Sequence, residues 1–201
     1  MHKKLNSALA LLLLFTVFGS FKAEAAMSPL SVSIFPPIEF PPQDFAVVGL
    51  RVNLLWGKHR SVDGFDFGGL GNITTQHMNG IQVAAGVNYN SGTTTAIGLQ
   101  AAGLANINVN KASVIGVQAA LYNSNRAEST VGGIQVGAIN NSPYTKMVGV
   151  QVGIYNKART VYGFQIGLIN MTDSLHGLQI GLVNFNHTGV FEVAPILNFG
   201  F

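Results

Sequence analysis

The strongest constraint in this chain is a five-residue unit, Gly-apolar-Gln-small/apolar-Gly/Ala, that recurs seven times between Gly80 and Gly181. The copies begin at Gly80, Gly98, Gly116, Gly133, Gly149, Gly163 and Gly177, and each carries a glutamine two positions on: Gln82, Gln100, Gln118, Gln135, Gln151, Gln165 and Gln179. Their spacing falls from 18 to 14 residues along the chain. A repeat of this kind sets the architecture before any single residue does. Within a copy the side chains alternate with period two. From Tyr162, one face carries Tyr162, Phe164, Ile166 and Leu168, and the other Gly163, Gln165 and Gly167. That is strand patterning and excludes an amphipathic helix. The segments between copies, such as Asn141 to Lys146 and Asn156 to Arg159, read as turns.

Three further copies replace the glutamine by a charge: Arg51 after Gly49, Asp66 after Gly64, and Glu192 after Val190. With them the repeat predicts about ten strands over residues 45–201, and an all-β fold. Two architectures use such strands. An antiparallel transmembrane β-barrel turns an apolar face to lipid and a small or polar face to its lumen. A β-solenoid stacks one repeat per coil. The polar inter-repeat segments leave a solenoid coil without a second apolar strand to close its core, which favours the barrel. So does the ending Phe191, Val193, Pro195, Leu197, Phe199, Phe201, whose alternation and terminal aromatic, with Leu197, Phe199 and Phe201 as the assembly signal, resemble the closing strand of outer-membrane barrels. Closure of ten strands would also bring Arg51 between Asp66 and Glu192, pairing three charges in the lumen. A solenoid would bring Arg51 to Asp66 and leave Glu192 far along the stack. In the barrel the seven glutamines form an amide belt around the lumen.

The first 25 residues read as a cleaved signal peptide, with a basic start at Lys3 and Lys4, an apolar run from Leu9 to Phe18, and Ala23, Glu24, Ala25 as the cleavage pattern. Without them the chain retains eight basic and seven acidic side chains. That balance argues against a nucleic-acid partner. Residues 26–44 hold Pro36, Pro37, Pro41 and Pro42, a poor continuous strand. They are expected as a plug or an edge strand. Cysteine is absent, so disulfides contribute nothing to stability. A mean hydropathy of +0.35 with only 9% charged residues is too apolar for an ordinary secreted soluble domain.

The later copies read Gly163-Phe-Gln-Ile-Gly-Leu-Ile-Asn170 and Gly177-Leu-Gln-Ile-Gly-Leu-Val-Asn184, and Asn140 and Asn156 close the copies at Gly133 and Gly149 in the same way. With the tail from Pro195 through Asn198 to Phe201, this resembles the "surface repeat" proteins of Gram-negative bacteria over about three quarters of the chain. The resemblance implies an outer-membrane or cell-surface location and assigns no chemistry. The copies at Gly80 and Gly98 depart from it, with Asn88 and Asn106 one place late, which predicts β-bulges.

Candidate chemical sites are few. His59, His77, His176 and His187 lack metal-ligand spacing. The glycines from Gly68 to Gly71 precede no helix and make no nucleotide loop. Asn72 and Asn170 head glycan sequons that an Asn-rich repeat produces by chance. Trp56, Tyr89, Tyr122, Tyr155 and Phe185 lie near strand ends, as membrane aromatic belts do. No catalytic set, cofactor or metal is expected. The expected function is a non-enzymatic outer-membrane barrel, structural or a narrow passive channel, with outer-membrane lipid and the barrel-assembly machinery as partners. The alternative is a cell-surface solenoid acting as adhesin or scaffold. The sequence sets no oligomeric state.

Overall fold

The computed structural model describes residues 26–201, so the predicted signal peptide lies outside the described residues. Fifteen strands make up the fold. They are β1 (Met27–Phe35), β2 (Ile38–Phe40), β3 (Ala46–Asn53), β4 (Trp56–Gly68), β5 (Gly71–Ala84), β6 (Val87–Asn90), β7 (Thr93–Ala102) and β8 (Ala105–Asn108). There follow β9 (Ala112–Ala119), β10 (Tyr122–Asn125), β11 (Ser129–Val136), β12 (Ile139–Val152), β13 (Tyr155–Ile166), β14 (Ile169–Asn186) and β15 (Val193–Gly200).

From β3 to β14 every pairing is parallel, and the glutamines stack copy upon copy: Gln135 faces Gln151, Gln151 faces Gln165, and Gln165 faces Gln179. The chain is therefore a β-solenoid and not the antiparallel barrel expected from its ending. Each coil has two arms. The first contains the Gly-x-Gln unit, and the second, beginning after the turn at positions such as Gly167 and Leu168, contains the asparagine. The segments read as turns, Asn141 to Lys146 and Asn156 to Arg159, lie instead within β12 and β13, where they stack as second arms, as β6, β8 and β10 do in the earlier coils.

The sidedness expected of the barrel is nevertheless kept. The glutamines point inward and are buried, while Phe164, Ile166 and Leu168 point outward and stay exposed. A solenoid with this facing needs no apolar second strand, because its interior is closed by amides together with a column of aliphatic side chains such as Val62, Met78, Val131 and Met147. The repeat glycines from Gly49 to Gly177 have φ between 91° and 146°, a region nearly closed to L side chains. A Cβ at Gly163 would run into the carbonyl oxygen of Gly149, so glycine also sets how closely the coils approach.

Register shifts between the arms, at His59 to Ser61 and at Ser142 to Lys146, and within the repeat units it shifts once. Gly64 faces Gly80, but Gly80 faces Ala96 instead of Gly98, and register is regained at Gln82 and Gln100. This irregularity is not the bulge predicted after the glutamines of these copies, since it lies at the start of the unit. The extra residue before Asn88 and Asn106 lies in the turn, and both asparagines stay in the stack.

Both ends are closed by strands that leave the parallel pattern. β1 adds in parallel to β3, and β2 folds back antiparallel on β1, so the proline-rich segment is an edge hairpin and not a plug. At the other end β15 pairs antiparallel with β14, setting Asn198 opposite Gln179. The tail therefore caps the last coil and does not close onto β3. Phe199 lies edge-on to Phe191 and to Phe201, which is almost fully exposed.

Candidate functional site: a polar spine and an apolar wedge

The interior is organised by hydrogen-bonded amide ladders. Each glutamine donates from Nε2 to the Oε1 of the preceding copy, from Gln179 back to Gln82, at 2.6–3.1 Å. Gln82 donates in turn to Asp66, 3.0 Å away. The asparagines run the other way: Asn53, Asn72, Asn88, Asn106, Asn123, Asn140, Asn156 and Asn170 each donate from Nδ2 to the next asparagine, at 2.7–3.0 Å. The two dipole chains are antiparallel and offset each other. From Asn72 onward the second amide hydrogen goes to a backbone carbonyl at the end of the next first arm, as from Asn156 to Ile166 O at 3.0 Å. One asparagine thereby satisfies both protons and pins the turn. Deeply buried polar groups are costly unless paired, and here pairing is nearly complete along the stack.

The predicted charge cluster is realised in part. Arg51 and Asp66 are fully buried and joined bidentately, Nε to Oδ1 at 2.7 Å and Nη2 to Oδ2 at 2.6 Å, with further bonds from Arg51 to Ile73 O and Thr74 Oγ1. Glu192 does not join them. It lies exposed at the opposite end, 3.4 Å from His187. The reason is the parallel stacking, which makes copies one and two neighbours and separates the last from both. There is likewise no lumen along the glutamine column: the seven side chains are packed among asparagines and aliphatic residues and are inaccessible to solvent. An amide belt lining a passive channel is therefore replaced by a solid amide spine.

The other residues noted from sequence are dispersed. Asn72 and Asn170 are buried rungs of the asparagine ladder, out of reach of glycosylation. His77 lies 3.8 Å from Asp63, and His176 stacks on Tyr162 with ring centroids 4.3 Å apart. One group escaped sequence reasoning because its members come from three different strands and the loop after β2. Buried His59 has Nε2 3.1 Å from Pro41 O and 3.4 Å from Ser31 Oγ, and Nδ1 3.9 Å from Glu39. The carbonyl can only accept, so the ring proton sits on Nε2. That nitrogen is then no base for Ser31, and the cluster is a structural lock beneath the N-terminal hairpin. Burial, reinforced by Arg51, holds the His59 pKa below its ordinary value.

What the structure presents to a partner is its exterior. Four columns run the length of the solenoid. They are the residue between Gly and Gln (Leu50 through Phe164 to Leu178), the residue after Gln (Val52 through Ile166 to Ile180), the first turn, and the first outward residue of the second arm (Trp56 through Tyr155 to Ile169). The turn column carries Leu70, Leu104, Leu121, Ile154, Leu168 and Leu182, each more than half exposed. No charged residue occurs in any of the four. Beside Trp56 they enclose an apolar groove of about 390 Å³ bounded by Leu70, Ile73, Tyr89 and Leu104. On the opposite edge stand Arg60, Lys111, Arg126, Lys146 and Arg159, against Asp44, Glu128 and Asp173. The cross-section is a wedge, apolar at one edge and basic at the other. Exposed apolar area on this scale marks an interaction surface.

Comparison with family models, with curated proteins and with solved structures returned no match.

Proposed function

We propose that this protein is a cell-surface β-solenoid acting as a scaffold or adhesin, a binding element and not an enzyme, whose working surface is the charge-free wedge. The observation that carries this reading is the inversion of the ordinary solenoid: the polar side chains are used up inside as ladders, and a continuous apolar surface is left outside. A rod fastened by two ladders and an in-register parallel sheet holds that surface rigid, and each coil repeats it at about 4.8 Å intervals. The export pattern of residues 1–25 and the likeness to surface-repeat proteins support an exterior location. Labelling intact cells with a membrane-impermeant amine reagent tests it, since Lys111 and Lys146 are exposed on the basic edge. The expected result is modification before lysis; modification only after lysis would contradict a surface location.

A further inference from the structure

We infer that the wedge is seated in one leaflet of a lipid membrane, with the basic edge standing in water; this deepens the surface-scaffold reading and rests on it. Three observations select lipid over a second protein copy. The first is that the apolar surface wraps around an edge. Phe164 and Ile166 lie on one broad face, Leu168 on the edge and Ile169 on the other face, all exposed. A flat partner could cover one face and would leave the leucine edge and the Trp56 column wet, whereas a fluid hydrocarbon layer covers all three.

The second is depth. From Phe164 to Leu168 is four residues, or about 13 Å at ~3.3 Å per residue. That is close to the roughly 15 Å of a single leaflet, half of a ~30 Å hydrocarbon core. The columns bounding the wedge are mixed at that depth: Asp63, Asn79, Tyr162 and His176 share one with Val48, Ile97, Ile115 and Val148, and Lys58 and Lys157 share the other with Ile73, Tyr89 and Met171. Their polar members are groups that settle at a headgroup boundary or extend a charged end to water.

The third is the backbone. Sheets meet lipid only when their polar groups are internally paired. In the coils the first arms, turns and second arms bond to the coils above and below, as Leu168 N does to Ile154 O at 3.0 Å. The wedge therefore offers hydrocarbon almost no open sheet edge between the two caps.

Trp56 is the only tryptophan and stands half-exposed in the wedge, so it reports the contact without added label. The test is flotation of the purified protein with vesicles of zwitterionic phosphatidylcholine, with and without phosphatidylglycerol, some brominated along the acyl chains. The expected outcome is co-flotation with both compositions, a blue shift of Trp56 and its quenching by acyl-chain bromine. Replacing Leu121 and Ile154 together by aspartate, at exposed edge positions, should lower partitioning by about tenfold or more while the circular dichroism spectrum stays unchanged. Three results would overturn the inference. One is a Trp56 shift that appears without lipid as a dimer forms by sedimentation, which assigns the wedge to a second copy. Another is binding only to the anionic vesicles, lost in high salt with Trp56 unquenched, which assigns contact to the basic edge. The last is no binding at all. Surface labelling of cells is read separately, so a labelled protein that ignores vesicles leaves the scaffold reading standing and removes this one alone.

Discussion

The coils of Gln82, Gln100 and Gln118 and the coils of Gln151 and Gln165 follow one path but are filled by different means. In the first set the inward position two residues after the asparagine is itself Asn90, Asn108 or Asn125, and each pairs with the glutamine of its own coil, as Gln100 and Asn108 do through two bonds of 3.1 Å. In the second set that position is Ala158 or Thr172, and the buried aliphatic column that crosses both sets, as Met78, Ala96 and Val114 in the first and Met147, Val161 and Leu175 in the second, is not joined by a third amide. The difference follows the shortening of the repeat. A coil of 17 or 18 residues encloses room for a third amide column, and one of 14 leaves room only for a methyl or hydroxyl. Wide coils therefore carry a third, cross-linked amide column, and narrow ones only the glutamine and asparagine ladders, over an aliphatic column common to both.

The largest expected effect comes from the charged foot of the wide region. Arg51→Met strands the Asp66 carboxylate in a dry interior and should cost about 3–5 kcal/mol in urea unfolding. Joint replacement of Arg51 by Met and Asp66 by Leu should recover much of that. Next comes the same change made in both regions. Gln100→Leu removes four side-chain hydrogen bonds, to Gln82, to Asn108 in both directions and from Gln118. Gln151→Leu removes two, with Gln135 and Gln165. At about 1 kcal/mol per bond the costs should be near 4 and 2 kcal/mol. Equal losses would mean that the third column adds nothing to stability.

Smaller effects separate the two caps. Ile196 adopts φ of 67° on an exposed part of β15, unfavourable for a β-branched residue. Ile196→Gly should stabilise the C-terminal cap by about 1 kcal/mol, read as a higher Tm. At the N-terminal cap His59 is the pH-sensitive group. Its folded pKa lies below the unfolded value of about 6.5, so stability is full above that pH and declines as pH falls from there toward the folded pKa. Hydrogen-exchange protection over Ser31 to Phe35, taken relative to the intrinsic rate at each pH, should fall between neutral and mildly acid pH. The protection at Gln151 should not change over that interval.

Much of this fold is legible in the residues. Alternation around Gln165 correctly turns amides inward and aliphatics outward, and Arg51 beside Asp66 is expected from adjacent copies. Direction of pairing is not legible there, because the unit reads alike from either end of its glutamine and a period of two fixes sidedness without fixing the neighbour. The decisive residues were the asparagines. Asn156 and Asn170 resemble turn formers, yet each sits in a strand and spends both amide protons on stacking. Glu192 misled for a related reason, since a charge at the glutamine position suggests ring closure only if the ends of the chain meet. The wedge required the coil geometry, which brings Trp56 to the same surface as Leu70.

Parallel stacking is the central claim, and the natural absence of cysteine makes it testable by one cross-link. Ile154 and Leu168 occupy equivalent places in successive coils, with Leu168 N bonded to Ile154 O. Stacking places such positions about 4.8 Å apart, within disulfide reach. Cysteines at both positions should oxidise rapidly to an intramolecular disulfide in the folded protein. Antiparallel neighbours paired at Gln151 and Gln165 would hold those two positions six residues apart along the strands, about 20 Å, and failure to cross-link in folded protein would contradict the solenoid.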